Sequence, residues 1–436
     1  MSWMCVVDKE PINSCDAQRP AFNYFYRVYT TSQPSTRQQV CIVTETYPPE
    51  VNGVALTLDH LVKGLLALGH SVSVVRPHQY SCDGREHEVG HDVTLVRGLP
   101  LPGYHGLQFG LPAGRLLLQS WRRNRPDVVY VATEGPLGWS AVRVARGLRL
   151  PIVSGFHTNY HYYSRHYRMG CLQSAIFRYL RRFHNLTACT LVPSNDLREL
   201  LLSWGFNNVN VLDRGVDSHL FRPERRSMEL RRSWDLSDND VAVLYVGRIA
   251  PEKNLGLAID AYRAMRRVNA SLKFVVVGDG PSRESLQNQH PDVIFLGTHK
   301  GERLATHYAS ADLFLFPSET ETFGNVTLEA MASGLAVIAY DYAAARVHIR
   351  NGETGLLVPY GDREGFVGSA AKLAREPQSL RTIGRRAREH VKACDWPRVV
   401  EKFEKLLVAA RAANALASHM RTAKPGWTTQ YNEETA

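Results

Sequence analysis

Short runs of apolar and β-branched residues alternate along most of the chain with longer stretches in which apolar residues recur every three or four positions. The first half reads as strands over 40–44, 72–75, 93–96, 128–131, 152–154, 190–192 and 209–212, separated by helices over 56–68, 113–123, 137–146, 172–183 and one starting at Asn195. The same grammar restarts with strands over 241–246, 274–277, 293–296, 313–316 and 336–339, with helices over 255–267 and 326–333 and further helices beyond Asp362. Runs that are apolar throughout, joined by amphipathic helices, predict parallel sheets covered on both faces. The expected fold class is therefore α/β, with two doubly wound domains facing each other across a cleft and ligands bound at the C-terminal ends of the strands.

A chain of 436 residues is too long for one ordinary core, which supports the division into halves. Residues 1–37 lack periodicity and read as an N-terminal extension. The first domain is expected over 38–222 and the second over 223–397, with a charged lead-in through residue 240. Trp396-Pro397 breaks two late helices, which lets the last one, in 398–436, cross back onto the first domain before the tail turns polar and frays after about residue 412.

Composition narrows the class. A hydrophobic fraction of 44% with 22% charged residues describes a globular protein. No stretch approaches the roughly 18 to 20 apolar residues of a membrane span. Asp8, Lys9 and Glu10 occupy the place of a signal peptide's apolar core, so the expected location is the cytoplasm. Seven cysteines without Cys-x-x-Cys spacing fit reduced thiols. Residues 1–225 hold 24 Lys and Arg against 17 Asp and Glu, seven of the net +10 charges. They cluster in Arg122-Arg123-Asn124-Arg125 and over 165–182, where aromatic and aliphatic residues are interleaved. Such a segment suits peripheral contact with an anionic membrane as well as a solvated helix face. No nucleic-acid motif accompanies the charge.

The richest stretch is Glu321-Thr322-Phe323-Gly324-Asn325-Val326-Thr327-Leu328-Glu329, directly after the strand 313–316. Phe323, Gly324 and Asn325 fall at a helix start, where free N–H groups and the positive dipole end suit a phosphate. One acid then lies in the loop and the other more than a turn into the helix. By themselves, both acids are equally explained as ordinary helix carboxylates. Arg248 and Lys253, in Gly247-Arg248-Ile249-Ala250-Pro251-Glu252-Lys253-Asn254, follow the first strand of the second half and can hold a diphosphate. Gly53 opens the first helix. His157 follows the strand 152–154 and reads as a sugar-hydroxyl donor or a structural histidine, with His161 and His166 too poorly accompanied for a metal site. Gly278-Asp279-Gly280-Pro281 opens a helix but lacks the third glycine of a dinucleotide fingerprint. Arg214-Gly215-Val216-Asp217 closes the first half and is equally explained as a turn.

Together, Gly53, His157, Arg214-Gly215-Val216-Asp217, Gly247-Arg248 with Lys253, Gly278-Asp279-Gly280-Pro281 and Glu321 to Glu329 resemble the retaining glycosyltransferases of GT-B fold that share a Glu-x7-Glu signature, the family 4 type. The loops around Gly53, His157 and Arg214 are most similar to the branch of GDP-mannose-dependent α-mannosyltransferases and glycolipid synthases. The resemblance implies a first domain that binds acceptor and a second that binds nucleotide sugar. It places the donor diphosphate on Arg248 and Lys253 and the ribose on Glu329. The sugar and its distal phosphate fall to Glu321, Phe323, Gly324 and Asn325, with Gly278 in the donor wall. His157 would touch the transferred hexose and Gly53 would leave room at the reacting centre. It further implies a metal-independent hexosyltransferase with no cofactor, using a GDP- or UDP-sugar and a hydroxyl acceptor, a lipid or lipid-linked glycan. The alternative reading is a glycosyltransferase of polysaccharide or small-molecule glycoside synthesis, with a non-catalytic nucleotide- or sugar-binding regulator and a nicotinamide oxidoreductase as the lower rivals.

Overall fold

A computed structural model describes residues 37–50, 52–78, 91–100, 108–157, 170–321 and 324–422. Phe323, His161, His166, residues 1–36 and the part of the basic segment over 165–169 lie outside the described residues.

The first half contains β1 (Gln39–Val43), α1 (Gly53–Ala67), β2 (Ser71–Pro77), β3 (Asp92–Val96), β4 (Gly98–Pro100), β5 (Gln108–Gly110), α2 (Gly114–Arg123), β6 (Val128–Val131), α3 (Pro136–Gly147), β7 (Ile152–Gly155), α4 (Gly170–His184), β8 (Cys189–Val192), α5 (Asn195–Ser203) and β9 (Val209–Val211). The second contains α6 (Met228–Ser233), β10 (Ala242–Val246), α7 (Leu255–Arg266), β11 (Lys273–Val277), α8 (Arg283–Gln289), β12 (Val293–Gly297), α9 (Gly301–Ser310), β13 (Leu313–Phe316), α10 (Asn325–Ala332), β14 (Ala336–Tyr340), α11 (Ala343–His348), β15 (Leu356–Val358), α12 (Arg363–Ala374), α13 (Pro377–Val391) and α14 (Trp396–Thr422).

Two parallel sheets result, with strand orders β3-β2-β1-β6-β7-β8-β9 and β12-β11-β10-β13-β14-β15. In each, the chain runs outward from a central strand and then reverses, so the switch points lie between β1 and β6 and between β10 and β13. The loops after β1, β10 and β13 open there, where doubly wound sheets bind ligands. These loops carry Gly53, the Arg248 and Lys253 pair, and Glu321.

One face of the first sheet packs on α2, α3 and α4 through Leu117, Trp121, Leu137, Val142 and Phe183. The other face is covered by α1 and by the far C-terminus: Val399, Val400, Phe403, Leu406 and Leu407 of α14 share a core with Ile42, Val74 and Tyr130. The crossing-back helix expected after Trp396 is thus present. It corrects the expected fraying point, because it continues to Thr422 and Ala413 is still buried. Alanines keep this stretch helical although they weaken its apolar signal. Also absent from the sequence reading are the antiparallel hairpin β4–β5, the short helices α6 and α11, and the edge strand β15, all too brief for periodicity to register.

Candidate active site

Pro251 starts a single 3-10 turn after β10, and Asn254 ends it in the left-handed region at φ 52°. That turn aims Lys253 across to the β13 loop. Its ammonium donates to Glu321 Oε1 at 2.6 Å and to the Thr320 carbonyl at 2.6 Å. Ser318 Oγ donates to the same carboxylate oxygen at 2.7 Å. Tyr342 fixes the backbone of Glu321, donating to its carbonyl at 2.8 Å. Lys253 and Glu321 side chains are only 18% and 15% exposed, so their charges sit in a partly desolvated niche where geometry matters. Glu319 ties the same loops together, accepting from Asn254 Nδ2 at 3.2 Å while its N–H donates to the Glu252 carbonyl at 3.1 Å.

Arg248 differs. Its side chain is 61% exposed and its nearest acid, Glu252, is 3.7 Å away, so the guanidinium is available to a ligand. Its backbone carbonyl accepts from the buried Tyr245 hydroxyl at 3.1 Å. The neighbouring loop zips onto this one through Ile249 N–H to Asp279 O at 2.9 Å and Ser282 N–H to Ile249 O at 3.1 Å. Gly278 makes the approach possible, since a Cβ there would lie 1.9 Å from the Gly247 carbonyl. In this structure Gly278 therefore has a packing role that sequence reading assigned to donor binding alone.

Gly324 caps α10 at φ 93°, a conformation that suits glycine, and leaves the helix start without a side-chain cap. One turn on, Glu329 Oε2 accepts from the Tyr308 hydroxyl at 3.0 Å. Burial raises the Glu329 carboxyl from the ordinary 4.5 to about 7, against the lowering effect of that hydrogen bond. Glu329 and Asn325 line a cavity of about 80 Å³ between the domains, whose other walls include Leu56 and His60 of α1, Gly215 and Trp396. The His60 ring stacks on Trp396 with centroids 4.4 Å apart. Gly53 begins α1 behind an Asn52 cap that accepts from Val54 and Ala55, and a Cβ on Gly53 would meet nothing within 4 Å.

His157 belongs to a separate cluster in the first domain. Arg214 Nη2 approaches its Nδ1 at 2.8 Å and the Tyr130 hydroxyl lies 3.1 Å from its Nε2. Burial, then the charges of Arg214 and His184, hold its imidazole well below the usual histidine range. Both ring nitrogens are thus engaged by protein. Among the described residues no three His, Cys, Asp or Glu side chains converge as a metal cluster.

The structure joins Lys253 to Glu321 and sets Glu329 and Asn325 against the first domain. Sequence reasoning missed Ser318, Tyr342 and Tyr308, which hold the two glutamates. Their hydroxyls sit in otherwise apolar or loop positions, with no spacing signal to mark them.

Residues 51–220 match the model of Glycosyltransferase Family 4, and residues 227–390 match that of Glycosyl transferases group 1. A GDP-mannose-dependent alpha-mannosyltransferase of Mycobacterium tuberculosis is 34% identical over 369 residues, 84% of this chain and 95% of that protein. The chain is a family 4 glycosyltransferase. A sulfoquinovosyl transferase of Arabidopsis thaliana is 30% identical over 379 residues, covering 85% of this chain and 73% of that one. Among solved structures, HepE of Anabaena in complex with UDP and glucose superposes with a TM-score of 0.68 at 19% identity, over 86% of this chain and 100% of that one. The two facing sheets of this glycosyltransferase are therefore the GT-B fold. Family membership sets aside the oxidoreductase reading and makes a nucleotide sugar the donor class.

Proposed function

We propose that this glycosyltransferase moves a hexose, mannose or glucose, from a GDP- or UDP-linked donor to a hydroxyl of a membrane lipid or lipid-linked glycan, with retained anomeric configuration and without a metal. The carrying observation is the Lys253–Glu321 pair at 2.6 Å, set at the switch point of the second sheet with Glu329 eight residues on. In this reading Arg248 and Lys253 neutralise the diphosphate, and the uncapped N–H groups at Gly324 and Asn325 add the positive end of α10. These groups supply the charge stabilisation that a divalent ion supplies elsewhere. Glu321 and Phe323 orient the sugar, Glu329 receives the ribose hydroxyls, Gly278 walls the donor, Gly53 leaves space for the anomeric centre and His157 donates to a sugar hydroxyl. The acceptor oxygen attacks the anomeric carbon on the face from which the diphosphate leaves. The bond to the phosphate breaks as the new one forms, and the departing phosphate oxygen takes the acceptor proton.

The GDP-mannose-dependent name of the mycobacterial relative supports a sugar nucleotide donor, and an alpha-monoglucosyldiacylglycerol synthase of Streptococcus pneumoniae, 28% identical over 69% of this chain and 71% of that one, favours a glycolipid product. Arg122 and Arg123 of α2 and Arg178, Arg181 and Arg182 of α4 lie exposed on the first domain and suit peripheral contact at the inner face of an anionic membrane. Among the described residues no helix is long and apolar enough to cross one. The test is release of nucleotide from a panel of UDP- and GDP-sugars with lipid, glycan and small-molecule acceptors, the anomer being assigned by NMR. An inverted product, or activity abolished by a chelator and restored by a divalent ion, would overturn the mechanism. A soluble glycoside product, or failure to float with anionic vesicles, would overturn the lipid assignment.

A further inference from the structure

Arg214 follows β9 and is only 5% exposed, yet among the described residues no carboxylate lies within ion-pair distance of it. The adjacent Asp213 is taken by Lys402 Nζ of α14 at 2.7 Å. A buried guanidinium normally has a carboxylate partner. Here its recorded hydrogen bond goes to the Nδ1 of His157, at 2.8 Å. Burial pushes Arg214 down to about 10, but it remains a cation at neutral pH. A small cavity is lined by Arg214, His157 and Tyr130 and closed by Thr57 and Leu61 of α1 and Val399 of α14. Gly155 is shaped to this cluster: a Cβ there would lie 2.3 Å from the Tyr130 hydroxyl and 2.5 Å from His157 Nε2.

Arginine only donates hydrogen bonds, so the His157 Nδ1 facing it must be unprotonated. The ring's proton is then on Nε2, directed at Tyr130. We propose that Arg214 is a positioning residue that locks His157 in the neutral Nε2–H tautomer, and that the Tyr130 hydroxyl holds this N–H until a donor-sugar hydroxyl replaces it. This rests on the reading of His157 as the sugar contact. The opposite tautomer would present an acceptor to the sugar, and either it or imidazolium would set an Nδ1–H donor against the Arg214 donor. The charged or titratable groups facing the ring are Tyr130 from β6, His184 from α4 and Arg214 after β9, with Asp213 lining the same cavity.

Nitrogen-15 imidazole NMR of the whole protein tests this directly. The wild type is expected to show unprotonated Nδ1 and protonated Nε2, without titrating through the ordinary histidine range. Arg214→Met should mix the tautomers, bring the titration up toward the ordinary histidine range and lower kcat about 10- to 100-fold, with nucleotide affinity within about twofold. Arg214→Lys keeps a donor-only cation and should retain the wild-type spectrum. A wild-type His157 protonated at Nδ1, or an Arg214→Met spectrum identical to wild type, overturns the proposal. If Arg214→Met does not fold, the wild-type and Arg214→Lys spectra still decide. A wild type that binds no nucleotide sugar but shows the Nε2–H tautomer refutes the donor reading alone.

Discussion

Replacing Glu329 by Gln should separate two properties that the site holds in opposition. Glu329 carries a carboxyl raised from 4.5 to about 7 by burial at the interdomain cavity. Because the folded value lies above the unfolded one, its contribution to stability is fully present below about pH 4.5. That contribution is lost as the pH rises to about 7, where the folded protein must ionise a desolvated acid. The full shift corresponds to roughly 3 kcal/mol, and partial solvent access reduces this to about 1–3 kcal/mol. Gln keeps an oxygen for the Tyr308 hydroxyl, now at 3.0 Å from Glu329, and has nothing to ionise. Glu329→Gln should therefore melt about 2–8 °C higher than wild type at pH 8, with the gap closing as the pH falls towards 5.

Donor binding should move the other way. An ionised Glu329 accepts from ribose hydroxyls, a charge-assisted interaction worth about 1.5–3 kcal/mol, so Glu329→Gln should weaken nucleotide diphosphate about 10- to 100-fold at pH 8. Wild-type affinity should climb between about pH 6 and 8 while the variant's stays flat. Thermal scans and titration calorimetry at four pH values read both effects. A stability difference independent of pH, or unchanged nucleotide affinity, would refute the reasoning.

Lys253→Ala removes the cation 2.6 Å from Glu321 and should lower transfer about 10²- to 10³-fold, read as nucleotide release, with Arg248→Ala also strongly impaired; near-normal turnover in both sinks the diphosphate assignment. The two glycines should part company. Gly278→Ala places a Cβ 1.9 Å from the Gly247 carbonyl and should lower stability by about 1–3 kcal/mol, whereas Gly53→Ala meets nothing in the free protein and should spare the melting temperature while impairing transfer. Equal melting temperatures for the two variants would contradict this.

The central strands were legible because their apolar runs are dense, as in buried parallel strands: β6 is Val-Val-Tyr-Val and β13 is Leu-Phe-Leu-Phe. The switch-point loops were legible because their chemistry is dense over a few residues. What escaped the sequence was contact between distant segments. Nothing local in Tyr308 announces a hydrogen bond to Glu329, 21 residues away, and nothing in Arg214 announces His157, 57 residues away. Gly278 shows the same limit, since a glycine required by the neighbouring Gly247 backbone and one required by a phosphate look alike in sequence.

The return of α14 to the first sheet makes the folding unit different from the sequential half. Val399, Val400, Phe403, Leu406 and Leu407 are each at most 5% exposed and share a core with β1, β2 and β6. Contact with α1 is so close that a Cβ on Gly64 would lie 2.3 Å from a Val400 methyl. At about 1.5–3 kcal/mol per fully buried side chain, these five residues contribute on the order of 10 kcal/mol, comparable to the stability of an entire domain. A chain ending at Cys394 should therefore leave the first domain unfolded while the second keeps its own core. Thermal scans and limited proteolysis would then show a cooperative, resistant fragment from the second domain alone. Cooperative melting of the first domain in that shortened chain would refute the assignment of its core to α14. The same contacts link the helix that begins at Trp396, in the wall of the Glu329 cavity, to the sheet whose β7 leads into His157.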